Sequence, residues 1–377
     1  MSTAVSQAGV TQVDPSNPAA LAEFVALERR LIGHHPRYYA NEVDADVRQR
    51  LAGKSPILDE SEFALFTAPG QPPVARCVAF LNRRYQRHTP ENSARGFIGY
   101  FAAAADAGPA VTQLLERAEG WLRERGVKRV VAPLNGSSMV GMAALTDGFD
   151  EEPMFPFTWN PPYYRNYFEQ AGYAPGFPLW QFWIDFATPQ YRAAARKAAE
   201  SFGARVRHVE KRHWKRDIEI IRTLFNECFA DEWEMHELNE KEWRGFLDFM
   251  KPRFDVNQLL IAEVDGEPAG FCLGMPDYTP HYRAFNGRMG LMQILKFMVT
   301  ARRYKRAGLL GIGVRKKFRG RGIGAALATR LYRHYESNGM RGAFYYLVND
   351  SNAASRRFAI NLGGQGRIQY HCFEKKF

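Results

Sequence analysis

Cysteine is scarce: four residues in 377, at Cys77, Cys228, Cys272 and Cys372. They are scattered and none forms a C-x-x-C pair, which argues against a zinc site and a disulfide framework and fits a reducing compartment. No metal is expected. No stretch approaches the ~18 consecutive apolar residues of a spanning helix, so the chain is not expected to cross a membrane. Residues 1–10 carry neither a basic segment nor an apolar core, so no signal peptide is expected. The expected location is cytoplasmic, with the inner face of the cytoplasmic membrane as a surface the protein could contact.

What is present is a globular composition: 46% hydrophobic, 24% charged and an aromatic-rich 14% Phe, Tyr and Trp. At about 150 residues per domain, the length predicts two domains. The net charge of +11 is uneven. Residues 301–321 hold nine basic side chains and no acid: Arg302, Arg303, Lys305, Arg306, Arg315, Lys316, Lys317, Arg319 and Arg321. Such a cluster suits a polyanion: a phosphorylated cofactor, an anionic lipid surface or nucleic acid. A nucleic-acid module would interleave basic and aromatic residues over a wider face. Here the charge sits in one loop, so nucleic acid is not an expected partner.

Hydrophobic periodicity gives a repeated grammar. In the first half, strands are predicted at 10–13, 62–68, 74–82, 96–101, 128–132 and 179–186, with helices at 21–32, 109–125 and 161–171. In the second, strands fall at 204–209, 259–264, 267–274, 309–314, 343–348 and 367–374. Helices fall at 214–230, 238–250, 322–337 and 353–361. Asp265-Gly266 marks a hairpin. The expected class is α/β (α+β), built as two tandem domains of similar topology. They are residues 1–190 and 204–377, joined by a helical linker at 191–203.

Residues 309–324 read L-L-G-I-G-V-R-K-K-F-R-G-R-G-I-G. An apolar strand ends at Val314, a basic glycine-rich loop follows, and an amphipathic helix begins at once. This is the physical recipe for a pyrophosphate cradle. Gly320, Gly322 and Gly324 let backbone N–H groups approach an anion, and the helix N-terminus adds its positive dipole end. A dinucleotide fingerprint lacks its third glycine here, and a P-loop would need Gly-Lys-Ser/Thr where Gly324-Ala325-Ala326 stands.

The pattern Arg319-x-x-Gly322-x-Gly324, followed about thirty residues later by Asn352-x-x-Ser355, Phe358 and Gly363-Gly364, resembles the two acyl-CoA motifs of the GNAT superfamily of N-acyltransferases. The resemblance implies a mixed, largely antiparallel sheet in which strands 309–314 and 343–348 are parallel and splay at their C-terminal ends. It implies that the pantetheine arm takes backbone bonds from Ile312, Gly313 and Val314. Arg319, Gly320, Arg321, Gly322, Ile323 and Gly324 would hold the phosphates, and Asn352, Ser355 and Phe358 would flank the thioester end. The position after Phe358, where the family often carries a tyrosine as general acid, is Ala359. Tyr345, Tyr346 or Tyr370 could replace it. A base must take a proton from the acceptor amine. Candidates are Glu234 and His236 in the acidic run 231–237, and Asp277 at the end of the second hairpin strand. Glu232 and Glu237 of the same run are expected to be solvent-exposed.

The first half lacks the phosphate motif and is expected to bind no CoA but to help wall the acceptor site. Its segments G-F-I-G-Y-F (96–101), A-E-G-W-L-R-E-R-G (118–126), A-P-L-N-G-S (132–137), D-G-F-D-E-E-P (147–153) and N-P-P-Y-Y (160–164) resemble a family of tandem-GNAT proteins that includes the bacterial ceramide synthases. That resemblance implies long-chain acyl-CoA as donor and a lipidic amine, such as a sphingoid base, as acceptor. An acetyltransferase acting on a small polar amine or peptide, and a non-catalytic acyl-CoA sensor, are the alternatives. Leu291, Ile294, Leu295, Met298 and Val299 form an apolar helical stripe running into basic residues. The commoner arrangement for such a stripe is core packing, and the other is a helix lying on an anionic membrane.

Overall fold

The computed structural model describes residues 9–199, 203–250, 255–300 and 304–377. Arg302 and Arg303 of the basic cluster lie outside them. The elements in chain order begin β1 (Thr11–Val13), α1 (Pro18–Ile32), α2 (Asp44–Leu51), β2 (Ser61–Ala68), β3 (Ala75–Asn82), α3 (Arg83–His88), β4 (Arg95–Ala103) and α4 (Gly108–Arg123). Next come β5 (Arg129–Ala132), β6 (Ala144–Asp147), α5 (Tyr163–Gln170), β7 (Ala174–Asp185), α6 (Pro189–Ala199), β8 (Ala204–His208), α7 (Trp214–Phe229) and α8 (Glu240–Met250). The chain ends with β9 (Leu259–Val264), β10 (Glu267–Pro276), α9 (Thr279–Phe285), α10 (Leu291–Thr300), β11 (Ala307–Val314), α11 (Ile323–Ser337), β12 (Gly342–Asn349), α12 (Ala353–Asn361) and β13 (Gln365–Lys376).

These elements form two compact units. One comprises residues 1–178, 278–298 and 370–377, the other residues 179–277 and 299–369. Residues 278–298 are far from the rest of the first unit in sequence but pack within it. Tyr282 stacks on Phe155 at 4.6 Å, and the Thr279 hydroxyl accepts a hydrogen bond from the Phe155 amide at 2.8 Å.

In the first unit β1 to β5 follow one another across a mixed sheet, antiparallel except for the β4–β5 pair. The apolar stripe of α4 covers it, with Val111, Leu114, Leu115, Ala118 and Leu122 all buried. β4 and β5 pair in parallel only over Arg95–Phe97 and Arg129–Val131. The opening beyond is filled by the chain itself. The Leu134 amide donates to Ile98 O at 2.9 Å, and Asn135 Oδ1 accepts from the Tyr100 amide at 2.7 Å. Gly99 permits this approach, since a Cβ there would sit 2.4 Å from Leu134 O. The segments G-F-I-G-Y-F and A-P-L-N-G-S are thus a strand and its plug. Glu119 of A-E-G-W-L-R-E-R-G is fully buried and satisfied by Lys375 Nζ at 2.9 Å and Arg123 at 2.7 Å. Asn160 of N-P-P-Y-Y clamps the backbone of Leu145.

In the second unit the sheet runs from the C-terminal half of β7 through β12, β11, β10 and β9 to β8. Its only parallel pair among the described residues is β11–β12. One face is buried under α11, α6 and α12 in a core that includes Phe182, Ile184, Leu260, Leu309, Leu327, Tyr332 and Ala359. The opposite face meets α7, whose Phe225 and Phe229 rings contact Phe271. Asp217 at the start of α7 is buried and accepts from Arg207, from Arg216 and from the Glu210 amide. Burial works against its charge, but those hydrogen bonds prevail and hold its pKa down at about 2.

Candidate active site

The expected splay lies between β11 and β12. Their pairing is confined to Gly308–Phe344 and Leu309–Tyr345. Beyond it β12 bulges: Leu347 takes φ +54°, and the register against β7 shifts between Tyr345 and Val348. Ile312, Gly313 and Val314 keep β10 on one side, while the parallel ladder has ended on the other. Their backbone groups on that edge are what an amide-bearing arm would need.

Immediately after β11 the chain makes a short turn at Lys316–Phe318 and reaches Gly320 (φ +80°) and Gly322 (φ +76°). Both positions are in the left-handed region, where a side chain is strained. Gly322 caps α11 without a side chain, and the first helical bond is Ala326 N to Gly322 O at 3.0 Å. The amides of Ile323, Gly324 and Ala325 therefore project from the helix start, at the positive end of its dipole.

The charges around this cradle are divided in a way the sequence does not reveal. Arg315 is held by Glu227 at 2.5 Å and Glu267 at 2.9 Å, and Lys317 by Glu267 at 2.5 Å. Lys317, foremost, holds the Glu267 carboxyl below its ordinary range. These two cations brace the loop. Among the described residues no carboxylate pairs with Lys316, Arg319 or Arg321, and all three are exposed. Arg319 Nε also donates to Val314 O at 3.1 Å, closing the strand end over the loop. Outward amides, two left-handed glycines and three available cations fit a pyrophosphate.

The second motif is a cap. Asn352 Oδ1 accepts from the Ser355 amide at 3.0 Å and starts α12. The Tyr345 hydroxyl donates to Ser355 Oγ at 3.1 Å, and the Phe358 ring lies edge-on to Tyr345 at 5.9 Å. Ala359 is fully buried in the core, so its side chain faces inward. Burial pushes the Tyr345 phenol up to about 12, against the lowering effect of the Ser355 bond. It is a neutral hydroxyl at physiological pH.

Of the proposed base candidates, Glu234 and His236 lie in the loop between α7 and α8, and both are buried, while Glu232 and Glu237 of the same run are exposed. Glu234 has φ +53°, an uncommon backbone state for a glutamate. His236 Nε2 is 2.9 Å from Glu242 Oε1. Glu242 simultaneously closes a capping box with Asn239, which starts α8. Asp277 ends β10 and accepts from Arg306 Nε and Nη2 at 2.8 Å each, so it ties the start of β11 to the end of β10. Tyr370 belongs to the first unit, where its buried hydroxyl donates to Thr158 O at 3.4 Å.

One buried polar group was not among the sequence candidates. Gln181 on β7 is 1% exposed, and neither its amide nitrogen nor its oxygen has a hydrogen-bond partner. It alternates with Trp180 and Phe182, which face the α11 side, and so points to the opposite face. Along β7 it stands opposite the Tyr346–Leu347 bulge that opens the splay. The visible signal was a lone amide in the strand L-W-Q-F-W-I.

Residues 218–363 match the family model of the acetyltransferase (GNAT) family. Over 379 aligned residues the chain is 26% identical to the bacterial ceramide synthase of Caulobacter vibrioides, covering 98% of both chains. It is 23% identical to protein YghO of Escherichia coli, covering 96% of this chain and 94% of that one. Among solved structures it shares its fold with a tandem GNAT protein from the clavulanic acid biosynthesis pathway (TM-score 0.55, 10% identity, 97% and 98% coverage). A GCN5-related N-acetyltransferase from Sphaerobacter thermophilus is also similar (TM-score 0.50, 17% identity, 97% and 95% coverage). The splayed strands and the cradle at Gly320–Gly324 lie inside the matched region, so residues 218–363 carry a GNAT-type acyl-CoA N-acyltransferase domain.

Proposed function

We propose that this enzyme transfers a long-chain acyl group from acyl-CoA to the primary amine of a lipid, a sphingoid base being the leading candidate. The observation that carries this reading is the similarity to a ceramide synthase along nearly the whole chain, including the half that lies outside the GNAT model. The donor's pyrophosphate would lie at Arg319, Gly320, Arg321, Gly322, Ile323 and Gly324. Its pantetheine would run along Ile312, Gly313 and Val314, past Asn352, Ser355 and Phe358.

The chemistry is direct attack. The amine nitrogen bonds to the thioester carbonyl carbon, the C–S bond breaks, the departing thiolate is protonated to free CoA, and one amine proton goes to a base. Tyr345 is the assigned proton donor to sulfur, replacing the acid absent at Ala359. Its neutral hydroxyl adjoins Ser355 and Phe358, the residues assigned to the thioester end. Among the four candidates Glu234, His236, Asp277 and Tyr370, His236 is assigned as base, with Glu242 holding the ring. The Arg306 pair of Asp277 and the Thr158 bond of Tyr370 read as structural. The first unit, in which Asn135 plugs the strand opening, contributes no CoA site and serves the acceptor. Contact with an anionic membrane belongs to the same reading.

The test is thiol release from acetyl-CoA and palmitoyl-CoA, each offered a sphingoid base and a panel of polar amines. Turnover with palmitoyl-CoA and the sphingoid base supports the proposal. Turnover confined to acetyl-CoA and a polar amine overturns it and leaves the N-acyltransferase assignment standing.

A further inference from the structure

Helix α10 is built inside out. Leu291, Met292, Ile294, Leu295, Met298 and Val299 are between 39% and 75% exposed. Only two other large hydrophobics are exposed among the described residues, Ile360 and Phe377. At about 100° per residue, these six side chains span an arc of roughly 160° of the helix. The facing side carries Gln293, Phe297 and Thr300, which are partly buried. Phe297 is the anchor, its ring 5.3 Å from Tyr278, 5.2 Å from His281 and 6.0 Å from Phe285. Hydrophobic residues concentrated on one solvent-facing arc of a short helix mark a surface that meets something apolar.

The surrounding charge identifies the partner. Residues 284–305 contain five basic residues, Arg288, Lys296, Arg302, Arg303 and Lys305, and no acid. Arg302 and Arg303 enter this count by charge alone. Arg288, Lys296 and Lys305 are exposed, and Lys296 borders the apolar arc, where a long side chain can keep its ammonium in water while its stem lies against the apolar phase. A second copy of the same chain would set these like charges against each other. An anionic lipid surface satisfies both features, taking the apolar arc into the acyl boundary and the cations at the headgroups. No helix among the described residues is long and apolar enough to cross a membrane, so the contact is peripheral.

We infer that α10 docks the enzyme on anionic bilayers by inserting Leu291, Met292, Leu295, Met298 and Val299 into the interface. This deepens the lipid-acceptor proposal but is tested without turnover, so the two can fail separately. The purified full chain is sedimented with phosphatidylcholine vesicles and with vesicles containing phosphatidylglycerol, at low and high salt. Leu291→Ser/Leu295→Ser/Met298→Ser/Val299→Ser is run beside it, with CoA binding as the check on folding. Wild type is expected to partition into the anionic vesicles, and the variant to lose about tenfold or more of that binding with CoA affinity unchanged. Wild type that binds neither vesicle, or a folded variant that binds as well as wild type, overturns the inference. A wild-type dimer that the four substitutions turn into a monomer, without vesicle binding by either, assigns the face to a second copy instead.

Discussion

The hydroxyl of Tyr345 donates to Ser355 Oγ at 3.1 Å, joining strand β12 to the first turn of α12. Tyr345→Phe should therefore lower kcat by roughly 10²-fold or less, the lower end of general-acid effects, because thiolates leave readily. KM for acyl-CoA should change little. Since burial pushes this phenol up to about 12, wild-type activity should show no loss attributable to it between pH 7 and 10. A steady-state pH profile of both proteins checks this. Equal kcat in the two would remove Tyr345 from the chemistry.

Gly322 sits at φ +76° as the side-chain-free cap of α11. Gly322→Val places a β-branched residue in a backbone state that costs about 1–3 kcal/mol and crowds the outward amides. CoA affinity should fall at least about tenfold by calorimetry. Arg319→Ala should weaken binding as well, through the lost charge and the freed Val314 carbonyl, and its effect should shrink in high salt.

These two tests address the portion of the site that the sequence made legible. Strand, basic loop and glycine-started helix are local, so spacing alone placed Gly320, Gly322 and Asn352. What stayed hidden depends on contacts between distant residues. The pairing of Arg315 and Lys317 with Glu227 and Glu267 takes up two of the loop's five cations, yet nothing near residue 315 announces it. The stripe of α10 has the same periodicity whether it faces a core or solvent. Periodicity favoured packing, but the structure exposes the stripe, because the helix turns its Phe297 side toward Tyr278 and His281. Helices α2, α3 and α9 escaped notice because they are short, six to eight residues with weak apolar repeats.

The plug at Asn135 predicts one CoA per chain. Its side chain occupies the backbone position of Tyr100 that an incoming arm would require. Calorimetric titration should give a stoichiometry of one, and Gly322→Val should abolish the whole signal instead of half. A residual site of comparable affinity in that variant would place a second cofactor in the first unit.

Asp217 should govern acid stability of the second unit. Its folded pKa of about 2 lies below the ordinary ~3.9 of an unfolded aspartate. The carboxylate therefore stabilises the fold fully above about pH 4, and that contribution is lost as pH falls toward 2. Asp217→Asn should cost about 3 kcal/mol at pH 7, since it leaves Arg207 and Arg216 without their buried partner. Thermal melts from pH 7 to pH 2.5 should show a lower and flatter Tm for the variant. Parallel curves would mean that the ion pairs add nothing.

Gln181 offers the sharpest test of the splay as a reaction site. A buried amide with both ends unsatisfied costs about 1–3 kcal/mol, so removing it should stabilise the protein unless a ligand supplies the missing partners. Gln181→Met keeps the volume and deletes the polar atoms. It should raise Tm while lowering kcat/KM for acyl transfer about tenfold or more, because the group that binds there loses its hydrogen bonds. A higher Tm with unchanged kinetics would make Gln181 a bystander of the β12 bulge. A lower Tm would mean that its amide is satisfied within the folded chain.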